Sequence, residues 1–170
     1  MSEIRFGLLI ISDRSARGER EDLSGPALRS RLETADHHVA VMDIVPDEIA
    51  KISDILIRWS DIEQLDVILT CGGTGFAPRD VTPEATRAVI DRPAPGIAEA
   101  ARAFSLKITP HAMLSRNSAG IRRKTLIINL PGSPKAAGEI LEYLLPILPH
   151  AVELMNEDPD SEAGHNFSAH

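Results

Sequence analysis

Short apolar runs punctuate the chain, and most of them end in a polar or glycine-rich break. Residues 6–11 (FGLLII) are unbroken and stop at Ser12-Asp13, the pattern of a central strand buried on both faces. Polar residues 12–24, with Gly18, read as a loop, and Pro26 opens a helix carrying Leu28 and Leu32. His38 to Val45 is apolar and β-branched. Pro46 stops it, and Asp47-Glu48 start a helix with Ile49, Ile52, Leu56 and Trp59 on one face. Residues 66–70 (DVILT) repeat the buried-strand pattern and run into Gly72-Gly73-Thr74-Gly75. Beyond them Thr82 offers an N-cap, Pro83 suits the first helical position and Glu84 puts an acid in the first turn. Residues 96–106 predict a further helix, whereas 107–123 have no clear period and read as loop with short elements. Thr125 to Leu130 predicts the last buried strand. Pro131-Gly132-Ser133-Pro134 turns it into a helix bearing Ile140, Leu141, Leu144 and Leu145.

Strands that alternate with helices of about 10–15 residues imply parallel pairing through right-handed crossovers. The expected fold is a single three-layer α/β/α domain over residues 1–156 with a mostly parallel open sheet. Residues 157–170, polar and without period, are expected to be a mobile C-terminal tail. Ligands of such sheets sit outside the carboxyl ends of the strands, which directs attention to Ser12-Asp13, Asp47, Gly72 to Asp80 and Pro131 to Ser133.

Composition narrows the partners. The chain has 170 residues, 43% hydrophobic and 25% charged, so a sizeable core is available and one domain is the default. Lys and Arg number 18 against 25 Asp and Glu; the net charge of -7 disfavours nucleic acid and anionic membranes, though not a small anion held by local groups. The single cysteine, Cys71, fits a reducing cytoplasm and supplies no metal framework. No basic segment precedes an apolar run at Met1–Phe6, and nowhere do about 18 apolar residues run together, so neither export nor a membrane span is expected.

The candidate chemistry lies on the predicted ligand edge. Glycines 72, 73 and 75 let backbone approach a phosphate closely, although a tight turn between strand and helix needs them equally. Neither GxxxxGK[ST] nor GxGxxG occurs, so the standard nucleotide loops do not transfer. Asp80, beside the glycines, suits Mg²⁺, which takes oxygen ligands and often only one or two from protein; Asp47 can join it from the neighbouring strand end. Helix-start duty for Asp47 and an ion pair for Asp80 are the alternatives. Ser133 is either an anion-binding helix start or an ordinary cap. The trio Arg122-Arg123-Lys124 is either a phosphate donor set or solvated surface. No histidine falls into a zinc-ligand spacing, no GxSxG elbow is present, and Cys71 at a strand end reads as a buried, inert thiol.

Three stretches carry a resemblance: TCGGTGFAPRDVTPEAT (70–86), LKITPHAMLSRNSAGIR (106–122) and LIINLPGSP (126–134). They resemble the molybdopterin adenylyltransferases, meaning the bacterial enzyme and the G domains of plant and animal molybdenum-cofactor proteins such as gephyrin. SDR at 12–14 and VPDE at 45–48 favour this branch over its sister branch. The likeness runs from about Ile4 to about Met155. It implies ATP- and Mg²⁺-dependent adenylylation of molybdopterin, with Gly72, Gly73, Thr74 and Gly75 in the phosphate-binding loop. Asp47 and Asp80 are then the essential acids near the metal, and Ser12 and Thr74 lie within the site. Ser105, Ser115 and Arg116 match positions near the pterin pocket, which Asn129, Pro131, Gly132 and Ser133 complete. The resemblance also implies a homotrimer and hand-over of product to a molybdenum-inserting protein. Cys71 departs from the pattern at a variable position. Two rival readings remain: a non-catalytic molybdopterin carrier or scaffold of the sister branch, and a nucleotide-dependent enzyme with another substrate. Placement of Asp47 and Asp80 on opposite sides of the fold would refute the catalytic reading.

Overall fold

The computed structural model describes residues 3–157, so the expected tail lies, but for Glu157, outside the described residues. The sheet has six strands in the order β2-β1-β3-β6-β5-β4. These are β1 (Arg5–Ile11), β2 (His38–Val45), β3 (Val67–Cys71), β4 (Arg92–Pro93), β5 (Ala119–Arg122) and β6 (Thr125–Leu130). The four long strands pair in parallel, while β5 runs antiparallel to β6 and β4 antiparallel to β5. Register sets Leu9 beside Thr70 and Thr70 beside Asn129, so β1, β3 and β6 end nearly level.

The alternation of side chains along each strand divides the core in two. Phe6, Leu8 and Ile10 of β1 face the same side as Val67 and Leu69 of β3 and Leu126 and Ile128 of β6. They pack there against α2 (Ser24–Thr34), α5 (Pro95–Leu106), α6 (Pro134–Leu144) and α7 (Leu148–Met155). Leu9, Ile11, Ile68 and Ile127 face the other side, where α3 (Ile49–Asp61) and α4 (Thr82–Val89) contribute Ile52, Leu56, Trp59, Ala85 and Val89. A strand covered on both faces is apolar along most of its length, and its few buried polar side chains, such as Thr70, Thr125 and Asn129, are hydrogen-bonded. That is why β1, β3 and β6 were legible as unbroken runs, each buried side chain contributing about 1.5–3 kcal/mol.

Several local expectations are corrected. The loop after β1 contains a one-turn helix, α1 (Asp13–Ala16), capped by the Ser12 hydroxyl, which accepts from Ser15 N at 3.2 Å. Helix α2 begins at Ser24 rather than Pro26, because the Asp22 carboxylate accepts from the backbone N–H of Ser24 and Gly25 at 2.9 and 3.1 Å. Helix α3 starts at Ile49, leaving Asp47 in the preceding loop. Ile49 itself is 47% exposed, since it precedes the turn that first meets the sheet. Thr82 is not an N-cap: it lies within α4, and its hydroxyl donates to the Gly72 carbonyl at 2.9 Å. Segment 107–123 is loop with short elements as expected, a 3-10 turn at Pro110–Leu114 and strand β5, whose Ala119 and Gly120 lack the β-branched signature of a strand. Among the described residues no helix is long and apolar enough to cross a membrane.

Candidate active site at the carboxyl edge of the sheet

Four strand ends open onto one rim. Ser12 follows β1, Asp47 follows β2, Gly72 to Gly75 follow β3, and Pro131 to Ser133 follow β6. Two cavities adjoin there and share Gly73, Asp80 and Gly132. The first, about 510 Å³, is bounded by Ser12, Ser15, Arg20, Asp22, Ser24, Asp47, Gly72 and Ser133 among others. The second, about 440 Å³, is bounded by Thr74, Gly75, Arg102, Ser105, Thr109, His111, Leu114, Ser115, Asn117, Pro131 and Ile140. One basin is polar and the other mixes aliphatic walls with hydroxyls and an amide, a division suited to a ligand with one strongly hydrophilic end.

The glycine turn makes this junction. Gly72 and Gly73 have φ of 111° and 64°, a region in which side chains are strained. A Cβ on Gly72 would run into the Ile11 carbonyl oxygen, and one on Gly73 would meet the Thr82 hydroxyl and come within 3.0 Å of Asp47 Oδ1. Thr82 fastens the turn twice, through its hydroxyl to Gly72 O and its N–H to Gly73 O at 3.1 Å. Gly72 N donates to Leu130 O at 3.1 Å, tying the turn to the end of β6.

Asp47 and Asp80 both border the first cavity at this rim. Asp47 Oδ2 accepts from Asp13 N at 2.9 Å and Asp47 N donates to Asp13 Oδ1 at 3.0 Å, a reciprocal tie between two loops. Arg79 grips Asp13 with a fork, Nε to Oδ2 at 2.9 Å and Nη2 to Oδ1 at 2.7 Å. That fork holds the Asp13 carboxyl below the usual range, against a smaller opposing effect of burial. Asp47 moves the other way. Burial pushes its carboxyl up, the Asp13 N–H pulls it down, and the negative charges of Asp13 and Asp80 push it up again. Asp80 Oδ2 accepts from Ala77 N at 3.1 Å, closing a small turn, and Asp80 borders both cavities. A pair of oxygen-donor carboxylates, one of them destabilised by burial and by like charge, is a donor set that Mg²⁺ fits. Among the described residues no group of three or more His, Cys, Asp or Glu is arranged around a metal position.

Ser12, Gly72, Gly73, Thr74, Gly75, Ser105, Ser115, Pro131, Gly132 and Ser133 all border one of the two cavities. Arg116 and Asn129 do not; they stand behind the walls. The Arg116 guanidinium donates to Gly75 O at 2.7 Å, Asp80 O at 2.6 Å and Glu84 Oε1 at 2.5 Å, while its backbone N donates to Thr74 O at 2.8 Å. Its donors hold the glycine loop rather than a ligand. Asn129, fully buried, donates to the hydroxyls of Thr70 and Thr86 at 2.9 Å each and accepts from Ser118 N at 3.1 Å. Ser133 caps α6 through Ala136 N at 3.4 Å, the ordinary-cap reading, and it also lines the first cavity.

The trio at 122–124 lies at the β5–β6 turn, at the opposite end of β6 from the rim. There Arg122 grips Asp61 at 3.0 and 2.6 Å. Burial pushes the Cys71 thiol up to about 12, and it donates to Pro131 O at 3.1 Å, as befits an inert thiol. Sequence reasoning missed Arg102, which borders the second cavity and bonds Ser115 O at 3.1 Å and Asn117 Oδ1 at 2.8 Å. A cation next to the buried Ala101, inside an alanine-rich helix, was the available signal.

Residues 7–150 match the family described as a probable molybdopterin binding domain. The molybdopterin adenylyltransferase of Helicobacter pylori strain J99 is 46% identical over 160 residues, covering 91% of this chain and 89% of the relative. The molybdenum cofactor synthesis protein cinnamon of Drosophila melanogaster is 47% identical over 159 residues; the match covers 93% of this chain but only 26% of cinnamon. Among solved structures, MoaB of Thermus thermophilus, described as a molybdopterin biosynthesis enzyme, superposes with a TM-score of 0.86 at 52% identity. That match covers 92% of this chain and 98% of the other.

Proposed function

The chain belongs to the molybdopterin-binding family matched over residues 7–150, and from that premise we propose that it adenylylates molybdopterin with ATP, releasing pyrophosphate. In this reaction an oxygen of the molybdopterin phosphate bonds to the α-phosphorus of ATP. The bond from that phosphorus to the β-phosphate oxygen breaks, and the electron pair leaves with pyrophosphate. The attacking monoester has a second pKa of about 6, so near pH 7 it is already largely dianionic and needs no general base. This agrees with a first cavity lined by carboxylates, hydroxyls and backbone together with Arg20, with the only cysteine inert.

The observation that carries the reading is the convergence of Asp47 and Asp80 with the glycine turn at the junction of a polar and a more apolar cavity. We assign the triphosphate to the first and the pterin to the second, so that the reacting groups meet over Gly73 and Asp80. Asp47 and Asp80 would hold Mg²⁺, which supplies charge neutralisation between the two anions. Gly72 to Gly75 let the phosphates approach the backbone, Ser12 and Ser133 present hydroxyls to the first cavity, and Thr74, Ser105 and Ser115 border the second. Arg116 and Asn129 brace the walls behind them. We extend the same reading to a cytoplasmic homotrimer that passes its product to a molybdenum-inserting protein.

The test is pyrophosphate release from ATP with and without molybdopterin. Release only when both are present is the expected result, and Asp80→Ala should reduce it by about 100-fold or more while the chain stays folded, in keeping with loss of a preorganised electrostatic group. Molybdopterin binding without any pyrophosphate would instead identify a carrier of the sister branch, and ATP consumption without the pterin would identify a different substrate.

A further inference from the structure

Asp47 is held unevenly. Its Oδ2 is engaged by Asp13 N, whereas Oδ1 points at the glycine turn, within 3.0 Å of where a Cβ on Gly73 would stand. One oxygen is therefore anchored and the other is presented to the shared rim. The anchor depends on Asp13, and every oxygen of the Asp13 carboxylate is in use: Oδ1 takes Asp47 N and Arg79 Nη2, and Oδ2 takes Arg79 Nε. Arg79 is distant in sequence from Asp13 but adjacent to Asp80, so its fork joins the loop that carries Asp80 to the loops after β1 and β2. The Arg79 side chain is 61% exposed and that of Asp13 20%. So exposed an ion pair adds little to stability; what the bidentate geometry supplies is orientation.

We propose that Arg79 is a positioning residue for Asp47, acting through Asp13, and that its fork sets how the Asp47 carboxylate is presented to a divalent cation. This rests on the reading of Asp47 as a cation ligand. The alternative role for Arg79, a bare positive charge near the site, makes the opposite forecast. By Coulomb's law, removing a cation beside two carboxylates strengthens their attraction for a metal ion. Removing an orienting partner weakens it, typically about 10- to 100-fold for the group behind a metal ligand.

The deciding measurement is Mn²⁺ binding to the full chain, followed by water-proton relaxation without nucleotide or pterin. Arg79→Ala should bind Mn²⁺ about tenfold or more weakly than the unmodified chain. Arg79→Lys, which keeps the charge but lacks the fork, should also be weakened, and it decides the matter alone should Arg79→Ala fail to fold. Equal or tighter Mn²⁺ binding by the folded arginine variants overturns the proposal. Asp47→Asn separates the two possible failures. If that variant binds Mn²⁺ as the unmodified chain does, the cation reading of the site is wrong; if it loses Mn²⁺ while the Arg79 variants do not, only the role of Arg79 is wrong.

Discussion

Gly73 carries more of the site than its size suggests. It adopts φ 64°, leaves room for the Thr82 hydroxyl to reach Gly72 O, and lets Asp47 Oδ1 come to the turn. An alanine there would take up the left-handed conformation at about 1–2 kcal/mol and displace a hydrogen bond contributing about 1 kcal/mol. Gly73→Ala is therefore expected to be about 2–3 kcal/mol less stable in urea unfolding, and to lose adenylyl transfer well beyond that. Wild-type stability together with full turnover would refute the steric account. Such a position was visible from the chain, because consecutive glycines after a buried run call for a tight turn or a close approach. Which atoms crowd it was not visible: Thr82 reaches it from the start of α4 and Asp47 from the loop after β2.

The loop between β3 and α4 owes its shape to Arg116, which arrives from the far side of the 3-10 turn and binds carbonyls at both ends of the loop. Glu84 in the first turn of α4 completes the clamp, and the Arg116 guanidinium holds its carboxyl below the ordinary value of 4.5. Since the folded value is the lower one, this contribution is complete above about pH 4.5 and disappears as pH falls through the folded pKa. Glu84→Gln should accordingly flatten the loss of stability on acidification below pH 5, followed by thermal melts across that range. Arg116→Met should cost about 2 kcal/mol at neutral pH and raise KM for ATP, because the loop loses its fastening while the cavity linings remain. An unchanged KM would mean that the loop holds its form without the clamp. The helix and the glycine break were legible here, but Arg116 read as a ligand contact. Local pattern carries no information about a guanidinium that crosses between distant segments.

The two halves of the core stand apart across the sheet, and Trp59 is the largest side chain of the half that excludes α6. It is fully buried, and its indole N–H has no hydrogen-bond partner among the described residues. Trp59→Ala is expected to lose about 3–5 kcal/mol, whereas Trp59→Phe should lose less than its volume implies because it also removes a buried unsatisfied donor. Circular dichroism is the suitable probe, as Trp59 is the only tryptophan. KM for ATP in the phenylalanine variant should stay as it was; a change would mean that the α3 side of the core shapes the rim. The order of buried runs and glycine or proline breaks along the chain was enough for the three layers, the parallel pairing and the edge at which ligands collect. Each of these follows from side-chain periodicity and from the handedness of short crossovers, which act between neighbours in sequence. Folding in three dimensions was needed for the Asp13–Asp47–Arg79 tie, for strand β5 among small residues, for the retreat of Arg116 and Asn129 behind the walls, and for the division of the rim into two cavities. Those features depend on distances between side chains far apart in the chain, and such distances exist only once the layers have packed.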